Sequence, residues 1–245
     1  MAASYHVRSS SLPSRLHSSG LSHIQLLLKK LPTDNNNNSL SLLSQLYHSV
    51  SHLFNESPSS LLLPHHSFFT HLLDLSLVHL DLCSKLRDIT CRIKDCLRDL
   101  RSAFRRRRHG GDSTIRRHVI SFIRSRKAVH KDLAKLLLLL KHADHSYSGP
   151  THHLITLLRQ VCSQTCLSFR TVLLSLSTSV PKPRPSKWAL VTKLVIKNKE
   201  RIKSLNTSLD KVDIVVEDLE ETLESLYRRM IQARVSLLNI VSLHI

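Results

Sequence analysis

Glycine is scarce in this sequence, and its scarcity limits the folds that the chain can adopt. The 245 residues include four glycines. Because glycine supplies the positive-φ conformations of tight hairpin turns, a strand-rich antiparallel fold would lack its usual turn residue. Leucine and serine dominate the remainder. We therefore predict an all-α fold built from long helices.

Apolar residues recur three and four positions apart along most of the chain, which is the spacing of one helical face. The pattern predicts helices at residues 21–31, 40–54, 68–103, 113–142 and 151–177. Gly110 and Gly111 favour the left-handed conformation that ends a helix, so they separate the third helix from the fourth. The alternating prolines of "PKPRPSK" remove backbone donors and end the fifth.

The most regular pattern lies at the end of the chain, where two series of apolar residues each recur every seven positions over six repeats. Such a/d heptads keep one seam of a helix against a partner helix. We favour the 68–103 helix of the same chain as the partner, because it carries a matching stripe, and a homodimeric coiled coil is the alternative. The predicted helix-pairing seam includes Leu205, Leu209, Val212, Val216, Leu219, Leu223, Leu226 and Met230.

The predicted organisation is a tail followed by one domain. Residues 1–20 are rich in serine, basic and free of acids, and they lack a periodic apolar face, which predicts a disordered tail. Residues 21–245 are expected to form a single elongated bundle of five or six helices, organised by the 68–103, 113–142 and C-terminal helices. An Asn-rich loop near 32–39 and a Pro-rich linker at 181–187 interrupt it.

Cysteine usage and hydropathy indicate a compartment. Five cysteines without framework spacing indicate free thiols in a reducing compartment. No stretch has the about 20 predominantly apolar residues that a membrane span needs. We therefore expect a cytoplasmic protein, with attachment to a membrane surface left open.

Charge is unevenly distributed along the chain. Lys and Arg number 36 against 18 Asp and Glu, a formal charge of +18 that favours an anionic partner. Residues 101–131 carry eleven cations and one acid, whereas residues 210–224 carry seven acids and one lysine. Whether these two segments meet inside one molecule is left open by the sequence.

An arginine cluster forms the candidate basic patch, and it serves either as a nuclear import signal or as a phosphate-binding surface. The alternative is a solvated helix end, because helix C-termini attract cations. An aromatic content of 4% offers few stacking platforms, which disfavours nucleic acid and leaves an anionic membrane surface as the better partner. The patch consists of Arg105, Arg106, Arg107, Arg108, Arg116 and Arg117.

Catalytic and metal-binding signals are weak. The sequence has no glycine-rich phosphate loop, no nucleophile elbow and no carboxylate pair in an apolar setting. Cys162 and Cys166 are four residues apart on a predicted helix, as are His48 and His52, but neither pair has a second pair at finger-like spacing. We predict a protein that is not an enzyme and has no catalytic residues, metal or cofactor.

A short motif in the tail suggests a protein partner. Arg8 lies three residues before Ser11, and Pro13 lies two after it, an arrangement that resembles a 14-3-3 docking site once Ser11 is phosphorylated. The phosphate would add about −1.5 to −2 charges for an arginine cluster on the partner. An organelle transit peptide and an inert disordered tail are the alternatives.

Four stretches, taken in order, resemble the recurrent blocks of the plant BYPASS-related family. They are "HVRSSSLPSR", "LDLSLVHLDLCSKLRDITCRIKDCLRDLRSAFRRRR", "VISFIRSRKAVHKDLAKLL" and "LEETLESLYRRMIQARVSLLNIVS", and the last is the most specific. The resemblance implies a helical, non-enzymatic protein connected with root and shoot development through control of a mobile signal. It also implies that the tail motif belongs to the mature protein, although some members are plastid proteins, which keeps the plastid as an alternative location.

Two functional hypotheses follow. The first is a developmental regulator that acts as an interaction adaptor, with a phosphorylatable tail that controls association with a 14-3-3 protein. The second is a peripheral membrane protein that binds anionic lipid through residues 101–131. The oligomeric state is open in both.

Overall fold

A computed structural model describes residues 13–31, 38–56, 66–105, 112–143, 152–179 and 199–242. Nearly all of these residues lie in six α-helices, and none of the residues so described lies in a strand, which confirms the predicted all-α fold. The helices are α1 (Pro13–Lys30), α2 (Ser39–Glu56), α3 (His66–Arg105), α4 (Asp112–Ala143), α5 (His153–Ser179) and α6 (Lys199–Ser242).

The heptad helix α6 packs against α2 and α3 of the same chain. Leu223 and Leu226 are fully buried in this contact, and Val216 and Met230 nearly so. Val212 and Leu219 are half-buried against the same core. The backbone at positions 205 and 209 is helical, and the side chains there lie outside the described residues. The seam therefore faces neighbours within one molecule.

The position of α2 corrects the expected arrangement of the bundle. The favoured partner, the 68–103 helix, does pack on the C-terminal helix as α3, and the structure adds a contact of α6 with α2 that is at least as extensive. Serines make this close approach possible because their side chains are small. Ser44 Oγ lies 3.0 Å from Ser225 Oγ, and Ser51 Oγ lies 2.9 Å from Ser236 Oγ.

The other helices dock onto this central group. α1 packs on α2, α4 packs on α3, and α5 contacts α1, α2, α3 and α4. Each contributes an apolar face, because burying large aliphatic side chains is the main favourable term in folding. The fully buried side chains include Ile24, Leu43, Leu86, Leu133, Ile155 and Phe169, at least one from each of α1 to α5.

The first helix begins earlier than the sequence predicts. The spacing places its start at Leu21 and the tail at residues 1–20, whereas α1 begins at Pro13. Proline is well tolerated in the first turn of a helix because that turn leaves its N–H groups unpaired. Gly20 lies beside Leu53 of α2 and Leu21 packs against the core, whereas the side chains at positions 13–18 lie outside the described residues.

Truncation of the seam tests this packing. Leu226→Ala is expected to lower the free energy of unfolding by about 2–5 kcal/mol, because it removes a buried side chain and leaves a cavity. Val235→Ala on the same helix, where 49% of the residue is exposed, is the matched control and should change it by less than about 0.5 kcal/mol. Urea unfolding followed by far-UV circular dichroism gives both values. Equal losses would contradict the assignment of the seam.

Candidate functional site

A chain of polar side chains crosses the centre of the bundle. The Tyr47 hydroxyl of α2 lies 3.0 Å from Thr165 Oγ1 of α5 and 3.5 Å from His79 Nδ1 of α3. On the other side of the imidazole ring, His79 Nε2 lies 3.4 Å from Cys166 Sγ. We call Tyr47, His79, Thr165 and Cys166 the core polar cluster, and all four are buried. It joins three helices through side chains that an apolar core would exclude.

Burial keeps the groups of this cluster neutral. It lowers the pKa of His79 to about 4, so the imidazole is uncharged at neutral pH. It raises the pKa of the Tyr47 hydroxyl far above its ordinary value, and it raises the pKa of the neighbouring Cys162 thiol to about 12. The cluster therefore contains neither a cationic imidazole nor a phenolate, and Cys162 beside it is not a thiolate.

A small cavity of about 30 Å³ lies beside the cluster and reaches towards the α3–α6 contact. Tyr47, His79 and Cys162 line one side, and Ser76 and Arg234 line another. Arg234 of α6 donates to the Leu73 carbonyl and, at 2.6 Å, to Ser76 Oγ, which fixes its guanidinium at the cavity wall. The volume suits about two water molecules, which is too little for an organic substrate.

The two spaced pairs that suggest metal binding have other partners. Cys166 contacts His79, whereas Cys162 lies at the cavity wall. His48 and His52 meet edge to face at 4.5 Å between ring centroids, with Arg229 Nη1 3.1 Å from His48 Nδ1. Burial and this neighbouring cation both lower the pKa of His48. Within the described ranges, no group of three or more His, Cys, Asp or Glu is arranged to hold a metal ion.

Acidic side chains of α6 pair with basic side chains of α3 along their antiparallel contact. Arg101 binds Asp213 and, at 2.6 Å, Asp210; Lys94 Nζ lies 2.5 Å from Glu220 Oε2. The Glu224 carboxylate, one turn after Glu220 on α6, binds Arg87 of α3. Of the basic segment 101–131, Arg101 therefore meets the acidic segment 210–224 inside one molecule, whereas Arg87 and Lys94 are cations of α3 outside that segment. These pairs are partly exposed, so each contributes about 1 kcal/mol or less.

A different set of cations lies on the solvent side of α4. The exposed residues there follow one another at helical spacing, and we call them the α4 outer face. Val129 and Leu133 lie on the opposite side and are buried, which fixes the orientation of the helix. The α4 outer face consists of Arg117, Ile120, Arg124, Lys127, Lys131, Lys135, Leu138 and Leu139, all of them exposed.

The predicted patch and the tail motif are placed only in part. Arg105 is the exposed last residue of α3, and Arg117 belongs to the α4 outer face. The side chains at the other predicted patch positions, Arg106, Arg107, Arg108 and Arg116, lie outside the described residues, as do Arg8, Ser11 and the side chain of Pro13. Arg105 and Arg117 are therefore the only patch members whose side chains the described part of the chain contains.

Sequence reasoning misses the core polar cluster, and it includes cations of the α4 outer face only as part of the 101–131 segment proposed to bind anionic lipid. The cluster joins residues up to 118 positions apart, so no local pattern brings them together. The α4 outer face does have a signal, since Arg124, Lys127 and Lys131 recur three and four apart. The denser arginine run beside Gly110 conceals that signal.

Comparison with known proteins identifies one family. Its model, described as Protein BPS1, matches residues 39–240, which include α2 to α5 and almost all of α6. No curated protein and no solved structure matches the chain. Among the helices of the described residues, none has both the length and the apolar composition needed to cross a bilayer.

Acid titration tests the burial of His79. In the unfolded chain this imidazole takes up its proton near pH 6.5, whereas the folded protein does so only near pH 4. Between these values the unfolded state binds more protons, so the free energy of unfolding falls as the pH decreases, by up to about 1.4 kcal/mol per pH unit. His79→Gln should flatten this dependence between about pH 7 and about pH 5, measured by urea unfolding.

Exposed His66 at the start of α3 provides the matched control, because His66→Gln leaves the buried imidazole in place and should retain the dependence that the burial of His79 produces. The pKa of Asp132, which a hydrogen bond from Arg92 lowers, and that of Glu220, which a hydrogen bond from Lys94 lowers, both lie below this window. An unchanged slope in His79→Gln would contradict the buried, neutral imidazole.

Proposed function

The chain belongs to the Protein BPS1 family, and from this membership we propose that it regulates plant development as a non-enzymatic adaptor. The family match confirms the resemblance through three of the four sequence blocks, since the tail block precedes residue 39, and membership supports a role in the regulation of plant development. The finer proposal is that the helical bundle is a scaffold and that the phosphorylatable tail controls its association with a 14-3-3 protein.

The short distance in sequence between the tail motif and α1 is the observation that carries the adaptor proposal. Ser11 lies two residues before Pro13, where α1 begins, so no long linker separates the motif from a helix. α1 is anchored in the core through Ile24, Leu27 and Leu28. A partner that binds the motif would therefore be held against the bundle, where it can block or present neighbouring surfaces.

The chemistry of the bundle interior supports a non-enzymatic role. The pair most similar to a catalytic constellation is His79 with Cys166, which lie 3.4 Å apart. A cysteine nucleophile needs a thiolate, commonly stabilised by a protonated imidazole. Burial keeps His79 neutral at physiological pH, and the adjoining cavity is too small for a substrate. The pair is suited to hold helices together.

Phosphorylation at one position tests the adaptor proposal. The full chain with phosphoserine at position 11 is expected to bind a 14-3-3 protein at least about tenfold more tightly than the unmodified chain, because the phosphate gains charge-assisted hydrogen bonds. Isothermal titration calorimetry measures both affinities. Arg8→Ala in the phosphorylated chain should weaken the binding.

The matched control carries phosphoserine at position 10, one residue out of register with Arg8 and Pro13. If the two phosphorylated chains bind equally, the attraction is a general effect of charge and the 14-3-3 protein does not recognise the motif. If neither binds, the phosphorylation-dependent part of the proposal fails.

A further inference from the structure

The α4 outer face differs from the basic side of α3 because, among the described residues, only one of its cations, Lys135, forms an ion pair with an acid. On α3, Arg87, Lys94 and Arg101 are paired with acids of α6. On the α4 outer face, Arg124 and Lys127 form no ion pair with any described carboxylate, and Arg117 and Lys131 share this property. A positive field therefore extends into solvent from this side of the molecule.

Asp132, a described acid beside the α4 outer face, does not reverse this field. Asp132 lies on its flank, where Arg92 of α3 binds it at 2.7 Å and Lys135 approaches it at 3.8 Å. A hydrogen bond from Arg92 lowers the pKa of the Asp132 carboxyl, which is therefore ionised and already paired at neutral pH. Lys135 keeps 63% of its side chain exposed and adds to the surface charge.

Aliphatic side chains occupy both ends of the α4 outer face. Ile120 is 39% exposed near the beginning of the helix, and Leu138 and Leu139 are 58% and 45% exposed near its end. Four of the cations lie between them and Arg117 precedes Ile120, so basic and apolar side chains alternate along this surface. A helix that lies in a membrane interface has this combination, with lysine stems over the acyl boundary and ammonium groups at the phosphates.

We propose that the α4 outer face docks on a bilayer rich in anionic lipid, with the helix parallel to the membrane plane. The cations meet the lipid phosphates, and the aliphatic side chains enter the boundary between headgroups and acyl chains. The α4 outer face runs from Arg117 to Leu139, which gives a contact about 33 Å long on a planar surface. The anchoring segment is thus α4, and Arg101 is not part of it.

A bilayer fits this surface better than nucleic acid does. Single-stranded nucleic acid is held by aromatic side chains on which bases stack. The α4 outer face contains no aromatic residue; Phe122 nearby is half-buried, with the Arg126 guanidinium 5.6 Å from its ring centre. Exposed leucines would gain nothing from a phosphate backbone, whereas lipid provides an apolar layer beneath the phosphates.

Vesicle sedimentation with the full chain tests the proposal. Phosphatidylcholine vesicles with about 30 mol% phosphatidylserine are compared with pure phosphatidylcholine at about 0.1 M salt. The triple variant Arg124→Gln, Lys127→Gln, Lys131→Gln is expected to bind the anionic vesicles about a hundredfold more weakly, given about fivefold per cation. If neither the unmodified chain nor the triple variant binds anionic vesicles more tightly than pure phosphatidylcholine, the proposal is overturned.

A triple variant with the same loss of charge serves as the matched control. Lys29→Gln, Lys85→Gln and Arg170→Gln remove three exposed cations from α1, α3 and α5. This chain should bind within about threefold of the unmodified protein, because its changes lie outside the docking surface. Equal weakening by both triples would show attraction to net charge alone and would overturn the assignment to α4. Binding to duplex RNA, with no binding to vesicles, would overturn it in favour of nucleic acid.

A fluorescent reporter tests which side of the molecule enters the lipid. In a Trp188→Phe background, Leu138→Trp places a single tryptophan on the α4 outer face, and Leu174→Trp places one at a similarly exposed position of α5. Anionic vesicles should shift the emission of the first to shorter wavelength and leave the second unchanged. A shift only in the α5 reporter would contradict docking through α4.

The membrane proposal and the adaptor proposal can fail separately. Ser11→Ala should leave vesicle binding unchanged, because the α4 outer face is intact. The α4 triple variant, phosphorylated at Ser11, should retain its affinity for a 14-3-3 protein. Loss of both interactions in either variant would mean that the two surfaces are coupled, and would overturn the proposal that α4 docks independently.

Discussion

The burial of one side of α6 between α2 and α3 is the constraint on which the remaining structure depends. Leu223 and Leu226 are fully excluded from solvent there, and each buried leucine contributes about 1.5–3 kcal/mol relative to exposure. α6 is the longest helix, so its two partners are placed along many turns. α1 then packs on α2, α4 packs on α3, and α5 bridges between them. Each outer helix consequently has one face fixed inward and one face left to solvent.

The ion pairs between α3 and α6 add to the helix packing that apolar burial establishes. The acids of α6 lie opposite Arg87, Lys94 and Arg101 of α3, so most of the charge at that contact cancels. Because these pairs are partly exposed, they add little free energy. The cancellation has a second consequence. The excess positive charge of the chain is not spread evenly, and the α4 outer face carries a concentrated part of it.

The core polar cluster gives the interior a specificity that apolar packing alone does not provide. A hydroxyl, an imidazole and a thiol need partners at defined distances, because an unpaired buried polar group costs about 1–3 kcal/mol. Tyr47, Thr165 and His79 satisfy one another across α2, α3 and α5. A sliding movement of any of these helices would break the contacts. The same burial that makes the cluster useful for alignment keeps it neutral, and so unsuited to acid–base chemistry.

The sequence by itself determined the helical fold, most helix limits, the α6 seam and the family, because these are encoded in local spacing and contiguous blocks. Glycine scarcity and the recurrence of apolar residues three and four apart are visible within one segment of the sequence. The heptad pattern likewise predicts that residues such as Leu223 and Leu226 are buried. Tertiary structure alone decided that α2 contacts α6 so extensively, that α1 begins at Pro13, and that the polar cluster and the α4 outer face exist. The physical reason is that each depends on groups far apart in the chain: a cation is free for a partner only if no folded neighbour neutralises it, and that is a property of the packed molecule.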